Sequence, residues 1–220
     1  MPKLALRLHL VVPIATAFLL WFLMFSPWTS HYLSFWWSMT FSAIVLTFMA
    51  FLFHHSSFFT IDSSFFILKE LLLGLLIAVV LWVVFWIGEK LSQLMFAFAR
   101  PQVDIIYSMK DGHSPILISL LLLFIIGPAE ELFWRGFIQR SLADRHIIWG
   151  LKDSRLSAFI ITTSVYTLVH LPSFNPMLIL SALTCGIIWG GLYYLIPRHF
   201  LAILISHAVW DAAAFVWFPL

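Results

Sequence analysis

The sequence predicts an all-α fold, a polytopic bundle of about seven to eight transmembrane helices. Hydrophobic residues make up 62% of the 220 positions and charged residues only 10%, which leaves too little polar surface to cover a soluble globule of this size. The apolar stretches are about 20 residues long, the length that a helix needs to cross the hydrocarbon core. They are continuously apolar, whereas the strands of a membrane barrel alternate between apolar and polar residues.

Seven stretches are long and apolar enough to span a membrane. They cover approximately residues 8–26, 32–53, 65–88, 115–134, 155–171, 177–196 and 200–218. The first stretch continues to Phe25, which favours an uncleaved helix over a signal peptide. The fourth and fifth carry polar groups toward one end, as helices that face a bundle interior do. The segment 89–113 fits either an interfacial helix or an extension of the third span, and an eighth membrane element there would change the side of the C-terminus.

Basic residues are distributed unevenly between the two ends of these spans, which indicates an orientation. If the N-terminus is cytoplasmic, nine basic residues lie inside and three outside, as the positive-inside rule requires. The inner set is Lys3, Arg7, Lys69, Arg135, Arg140, Arg145, Lys152, Arg155 and Arg198, and the outer set is Lys90, Arg100 and Lys110. We therefore expect an integral membrane protein with a cytoplasmic N-terminus.

The charge and the cysteine content indicate which partners and cross-links to expect. The net charge is +2 without a dense basic cluster, so we expect no nucleic-acid partner, and the lipid bilayer is the partner that the composition requires. The single cysteine, Cys185, has no intrachain disulfide partner. The sequence contains neither an internal repeat nor a flexible linker, so residues 1–220 are predicted to form a single membrane domain.

Three clusters of ionisable residues interrupt the apolar spans, where each such group costs several kcal/mol and therefore suggests a function. The first cluster contains Glu130, Glu131 and Arg135. Glu131 and Arg135 are four residues apart and can form an ion pair along one helix face, which leaves Glu130 directed at a different neighbour. A carboxylate beside a fixed ion pair is well placed to act as a general base. The alternative interpretation is that these charges mark the end of a span.

The other two clusters place a histidine one helical turn from a second polar residue. Tyr166 and His170 share a face near the end of the fifth span, and His207 and Asp211 do so within the last span. A histidine and a carboxylate one turn apart can hold a water, an oxyanion or a metal between them. The other histidines lie at span ends or in loops and are predicted to be interfacial: His9, His31, His54, His55, His113, His146 and His199.

The order of the three clusters resembles the CPBP family, the CAAX-processing and bacteriocin-processing intramembrane endopeptidases. That family carries an EExxxR motif, then an aromatic-xxx-His motif, then a His-xxx-Asn/Asp motif on successive helices. The corresponding residues here are Glu130, Glu131 and Arg135, then Tyr166 and His170, then His207 and Asp211. This chain departs from the usual pattern with tyrosine in place of phenylalanine at 166, and with aspartate at 211 where asparagine is common. The resemblance covers roughly residues 115–215, the expected catalytic core.

The resemblance implies an intramembrane endopeptidase that acts on a membrane-associated protein or peptide, by C-terminal or CAAX-type tail processing. Glu130, assisted by His170, would activate a water for attack on the peptide carbonyl, and His207 with Asp211 would stabilise the oxyanion. Glu131 and Arg135 would hold this arrangement in place. Within the family, the short loops are more typical of a prokaryotic member, which indicates the prokaryotic cell (inner) membrane.

The residue types leave metal dependence open. Glu130, His170, His207 and Asp211 are acceptable zinc ligands, yet they also suffice for a metal-free glutamate mechanism, which we favour slightly, so no cofactor is certain. The sequence lacks an HExxH motif.

Two other functions fit the same residues. The chain fits a non-catalytic membrane regulator or scaffold of the same family, or a small proton-coupled transporter, since buried Glu and His residues also build proton relays.

Counting residues along the spans places Glu130 and His207 toward the cytoplasmic half and His170 toward the outer end. We therefore predict that the fifth helix begins before the membrane boundary and that the site opens on the cytoplasmic side.

Overall fold

The structure is a computed structural model that describes residues 3–53, 64–144 and 154–220, with side chains from residue 9 and, after the first gap, from residue 66. Within these ranges it contains helices and turns and no strand. The helices of ten or more residues are α1 (Lys3–Phe25), α2 (Phe35–Phe53), α3 (Ser64–Met95), α4 (Ala99–Ser108), α5 (Pro115–Ala143), α6 (Ser154–Leu168), α7 (Pro176–Leu195) and α8 (Phe200–Ala212), which a π-helical turn, Ala213–Trp217, continues.

The predicted spans correspond to seven of these helices. Six regions of the described chain, containing α2, α3 and α5–α8, are long and apolar enough to cross a bilayer, and α1 is apolar over its shorter described part, His9–Phe25. Large apolar side chains cover their outer surface: on α3, Leu72, Leu76 and Val79 are 59%, 60% and 62% exposed. A soluble protein does not present such a continuous apolar surface. The prediction of an all-α transmembrane bundle is confirmed.

The segment after the third span contains both an extension of that span and a separate short helix, the two forms that the sequence predicted as alternatives. The helix α3 continues to Met95, and the short helix α4 follows it, with Ala99 and Val103 buried against Met177. Between α3 and α5, all of which the structure describes, no further helix is long enough to cross a membrane.

The seven crossing helices alternate in direction, so their connections collect on two faces. We call the face where α1 begins the N-face and the opposite one the C-face. On the C-face, Trp36 Nε1 donates to the Met109 carbonyl at 2.8 Å, and Asn175 Nδ2 donates to the Gln102 carbonyl at 2.9 Å. These bonds tie α4 and the turn after it to the first turn of α2 and to the connection that follows α6.

Helix α5 runs through the centre of the bundle and is not a uniform α-helix. Pro128 lacks an N–H and its ring clashes with the carbonyl four residues earlier, so the regular ladder cannot continue through it. The chain adapts with a π-helical segment, Leu122–Ile126, in which the Gly127 N–H bonds to the Leu122 carbonyl. A second π-helical segment, Leu132–Gln139, follows the two glutamates. Such π segments are frequent at functional sites.

Glycines set how closely α8 approaches its neighbours. A Cβ on Gly127 would lie 2.7 Å from the Cα of Ala208, and one on Gly74 would lie 2.9 Å from the carbonyl oxygen of Ala202. Both distances are too short for any side chain. Small residues therefore let α8 pack backbone to backbone against α5 and α3, as is common between membrane helices.

Candidate active site

The centre of the bundle contains a buried ion pair with a histidine attached to it. Arg135 NH1 lies 2.8 Å from Glu131 Oε1, as the spacing of four residues predicts, and His207 Nδ1 lies 2.6 Å from the same oxygen. The three side chains are 0–3% exposed. These contacts join α5 to α8 across the bundle.

The guanidinium of Arg135 is fixed on several sides. Its NH2 donates to the Cys185 carbonyl at 3.3 Å, and its central carbon lies 5.0 Å from the centre of the Tyr166 ring and 5.9 Å from the centre of the Trp189 ring. Cation–π contacts of this kind stabilise a guanidinium that has been removed from water. Arg135 thus connects α5 to α6 and α7.

His207 lies between two carboxylates. Its Nε2 is 3.4 Å from Asp211 Oδ2 on the next turn of α8, and its ring stacks on Trp189 with centroids 3.7 Å apart. Trp189 is itself fixed by a 3.0 Å hydrogen bond from its Nε1 to Ser206 Oγ. An imidazole with a carboxylate at each nitrogen donates to both only in its protonated form. The arrangement therefore suits a positively charged side chain.

Glu130 has a different environment from its neighbour Glu131. The Tyr166 hydroxyl donates to Glu130 Oε2 at 3.0 Å, so a neutral hydroxyl orients this carboxylate. Tyr166, which stands where the CPBP family usually has phenylalanine, therefore takes part in the cluster through its hydroxyl. Glu130 is 7% exposed and lines a cavity.

His170 has both ring nitrogens engaged. Its Nδ1 lies 2.7 Å from the Tyr166 carbonyl, which only accepts, so Nδ1 carries the proton. The Trp21 Nε1–H then donates to His170 Nε2 at 3.2 Å. His170 lies on the same cavity as Glu130 and is linked to it through Tyr166.

A cavity of about 420 Å³ connects these groups to the C-face. Five polar side chains at its inner part are Glu130, Tyr166, His170, His207 and Asp211. Its wall is otherwise mainly apolar and aromatic, with Phe25, Phe35, Trp36, Met39, Val84, Phe85, Val103, Ile106, Leu122 and Ile126. Near the C-face, Tyr107 also lines it, and burial raises the pKa of this phenol, which stays a neutral donor to the Ala214 carbonyl. The cavity suits an apolar ligand.

The position of the cavity corrects one pair of expectations. A cytoplasmic N-terminus and a cytoplasmic opening are incompatible, because α1 begins on the N-face and the cavity reaches the C-face. The predicted early start of the fifth helix falls on residues 145–153, outside the described ranges. An early start is not required for the clusters to meet, because Tyr166, one turn before His170, reaches Glu130 directly.

The donor arrangement does not fit a zinc site. Within the described ranges, no three His, Cys, Asp or Glu side chains converge in a way that could hold a metal ion. The cause is local: the Nε2 lone pair of His170 accepts from Trp21, and both nitrogens of His207 face carboxylates.

Comparison with known proteins finds a family similarity in the part of the chain that contains this site. Residues 112–213 match the family model described as Rce1-like, type II CAAX prenyl endopeptidase. This match is consistent with the CPBP family, which the three motifs resemble. No curated protein and no solved structure matches the chain significantly. The Rce1-like segment contains all six candidate site residues, and the family is one of membrane endopeptidases.

Several residues around the Rce1-like site are absent from the sequence prediction. The Trp21 indole and the Cys185 carbonyl contact site residues 149 and 50 positions away, and neither leaves a sequence signal of its role. Gln139 did leave one, since it is polar and follows Glu131 and Arg135 at intervals of four residues, which puts it on the same helix face as the ion pair.

His199 lies at a span end, as predicted, but its side chain is buried and paired instead of facing the interface. It is buried on the N-face, with its Nδ1 2.6 Å from Glu70 Oε1. Glu70 could have been singled out from the sequence, because it is an ionisable residue within the third apolar stretch.

Proposed function

We propose that this protein hydrolyses a peptide bond near the C-terminus of a membrane-associated protein, using a water activated by Glu130. Support comes from the contrast between the two adjacent glutamates. Glu131 is bound by Arg135 and His207, whereas Glu130 meets a neutral hydroxyl at the wall of the cavity. A carboxylate that no cation holds can accept a proton from water.

Hydrolysis would begin and end with a proton transfer at Glu130. Glu130 removes a proton from water as the water oxygen attacks the peptide carbonyl carbon, and the carbonyl oxygen becomes an oxyanion. A protonated His207, held by Glu131 and Asp211, stabilises that charge. The C–N bond then breaks, and Glu130 returns the proton to the leaving amine. His170 and Tyr166 orient Glu130, which assigns His170 to positioning rather than to proton transfer.

The apolar cavity favours a particular substrate class. The family is described by its action on CAAX prenyl tails, and the aromatic wall can accommodate a lipid chain beside the scissile peptide. We therefore propose a C-terminal tail with a lipid or an apolar side chain near the cleaved bond.

The distribution of basic residues supports one orientation of the site in the membrane. Arg135 is buried in an ion pair and cannot count as a loop charge. Among the residues that the structure describes, this leaves six basic residues toward the N-face and three toward the C-face. We propose that the N-face is cytoplasmic in a prokaryotic inner membrane and that the substrate enters from the opposite side. A cysteine at His113 in a Cys185→Ser background should react with a membrane-impermeant maleimide on intact cells, and labelling only after lysis would reverse this orientation.

A cleavage assay in nanodiscs tests the function. The probe is a panel of CAAX-type peptides with and without a farnesyl group on the cysteine, analysed by mass spectrometry. Glu130→Gln should reduce kcat by at least about 100-fold, the usual contribution of a general base. Glu70→Gln is the matched control, because it removes a buried carboxylate outside the cavity and should leave kcat unchanged.

Other outcomes separate the competing functions. Full activity in Glu130→Gln would refute the proposed mechanism. No cleavage of any probe by a folded wild-type protein would favour a non-catalytic regulator, and proton flux into liposomes would favour a transporter.

A further inference from the structure

Three buried polar residues of α5 extend from the site toward the N-face, away from the cavity. Glu131, Arg135 and Gln139 follow one another at intervals of four residues and are 0%, 1% and 2% exposed. We call them the polar stripe. A bundle whose core is otherwise aromatic and aliphatic gains no stability from Gln139 at this depth unless its amide is satisfied.

Each member of the polar stripe has a buried atom without a hydrogen-bond partner among the residues that the structure describes. These atoms are Glu131 Oε2, Arg135 Nε and Gln139 Oε1, and Trp134 Nε1 on α5 and Thr162 Oγ1 on α6 share this property. Buried polar groups are almost always hydrogen-bonded, and where the protein supplies no partner, internal water usually does. Unmatched donors and acceptors on successive turns provide the two to four partners that an internal water needs.

Helix α7 faces the polar stripe with glycine and backbone carbonyls. Gln139 Nε2 donates to the Gly190 carbonyl at 2.9 Å, and Thr163 Oγ1 donates to the Gly186 carbonyl at 3.1 Å. A Cβ on Gly190 would lie 3.3 Å from Gln139 Oε1 and 3.2 Å from Thr163 Oγ1. Gly190 therefore keeps a side chain away from the unpartnered oxygen of Gln139. Close helix packing alone explains the glycine but not the unpartnered polar atoms beside it.

We propose that the polar stripe binds a row of internal waters that supplies the water consumed in each hydrolysis. This inference rests on the proposed function, since only hydrolysis consumes one water for each bond cleaved. In the proposed function the peptide binds in the apolar cavity on the C-face, so that a bound substrate would block water from that direction. The polar stripe reaches the carboxylates from the other side and stays open while substrate is bound.

Hydroxyl-radical footprinting by synchrotron radiolysis tests the water directly, because radicals formed from bound water oxidise the side chains next to it. Trp134 and Trp21 are both fully buried, but the Trp21 N–H is bonded to His170 and that of Trp134 has no partner. We expect oxidation of Trp134 and little of Trp21. Equal, background oxidation of both would overturn the proposal.

Two variants link the water to this position. Gln139→Leu and Gly190→Ala should both suppress oxidation of Trp134, whereas Gly191→Ala should not, since a Cβ there meets only Phe159 at 3.9–4.0 Å. Oxidation of Trp134 that persists in both Gln139→Leu and Gly190→Ala would contradict the proposal.

Failure of the water proposal and failure of the proposed function give different results. Footprinting of Glu130→Gln should still show oxidised Trp134, because water binding does not depend on turnover. In the cleavage assay, Gln139→Leu should lower kcat about tenfold, or ~1.4 kcal/mol, with KM unchanged. Unchanged kcat with lost oxidation would mean that the waters are structural, which would overturn the supply role.

Discussion

The bundle contains two buried glutamate–histidine pairs of the same length in very different settings. Glu70–His199 on the N-face and Glu131–His207 at the centre both have an Nδ1–Oε1 distance of 2.6 Å. Both glutamates are completely buried. Burial and a short contact therefore do not distinguish them.

The difference lies in which atoms remain unmatched. The second oxygen of Glu70 accepts the Ala202 N–H at 3.0 Å, in the first turn of α8, and His199 Nε2 accepts from Arg198. This pair caps the first turn of α8 at the N-face. In the central pair, Glu131 Oε2 has no partner among the described residues, and His207 also faces Asp211 at the cavity. A saturated pair is suited to holding helices together, and an unsaturated one beside a cavity is suited to chemistry.

The largest effect on the central pair is expected from Arg135→Met. This change leaves the Glu131 carboxylate buried with His207 alone, and breaking one partner of a buried ion pair typically costs about 3–5 kcal/mol. The thermal unfolding midpoint in detergent should fall strongly.

A double variant provides the control for that change. Adding Glu131→Leu to Arg135→Met removes the unpaired charge, so the double variant should be more stable than Arg135→Met alone. Equal or lower stability of the double variant would show that packing of the guanidinium between Tyr166 and Trp189, and not its charge, is what matters.

The next effect concerns the N-face pair. Glu70→Gln keeps the shape of the side chain but weakens its bonds to His199 and Ala202, which should lower stability by about 1–3 kcal/mol. The kcat of the folded fraction should stay at the wild-type value, measured by cleavage after active enzyme is quantified. A loss of kcat without a loss of stability would contradict the division between the two pairs.

The sequence predicted the membrane spans well because hydropathy is a local signal. All seven spans appear as helices, and the i,i+4 ion pair of Glu131 and Arg135 forms as expected. Contacts between distant positions could not be predicted in this way. His199 pairs with a residue 129 positions away, and Trp21 engages the nitrogen of His170 that the sequence left available for catalysis.

Local sequence patterns also could not predict how the site residues meet or on which side the cavity opens. Span counting gave the relative depths of Glu130 and His170 but contained no information on a side chain such as Tyr166 that bridges them. The side on which the cavity opens depends on how seven helices pack, and that is set by close contacts such as Gly127 against Ala208.

A smaller effect is expected at the hydroxyl that orients Glu130. Tyr166→Phe restores the residue that is usual in the family, so the fold should be retained. Losing a hydrogen bond to a charged group costs about 1.5 kcal/mol, so kcat should fall about tenfold. KM should not change, because the hydroxyl contacts Glu130 and not the bound peptide.

Two results would revise this role of Tyr166. An unchanged kcat would mean that Glu130 is oriented without the hydroxyl, and a raised KM would mean that Tyr166 contacts the substrate.

The smallest effect is expected from removing divalent metal ions. If the central pair acts through protons alone, dialysis against EDTA followed by 1,10-phenanthroline should leave the cleavage rate unchanged. The reason is in the donor set: the Trp21 N–H occupies the Nε2 lone pair of His170, and Glu131 and Asp211 occupy both nitrogens of His207. A metal would have to displace these partners, which would release the Trp21 indole from its bond. Loss of activity with chelator and its return with zinc would therefore show that the site rearranges around a metal, and Trp21→Phe should then raise metal affinity rather than lower it.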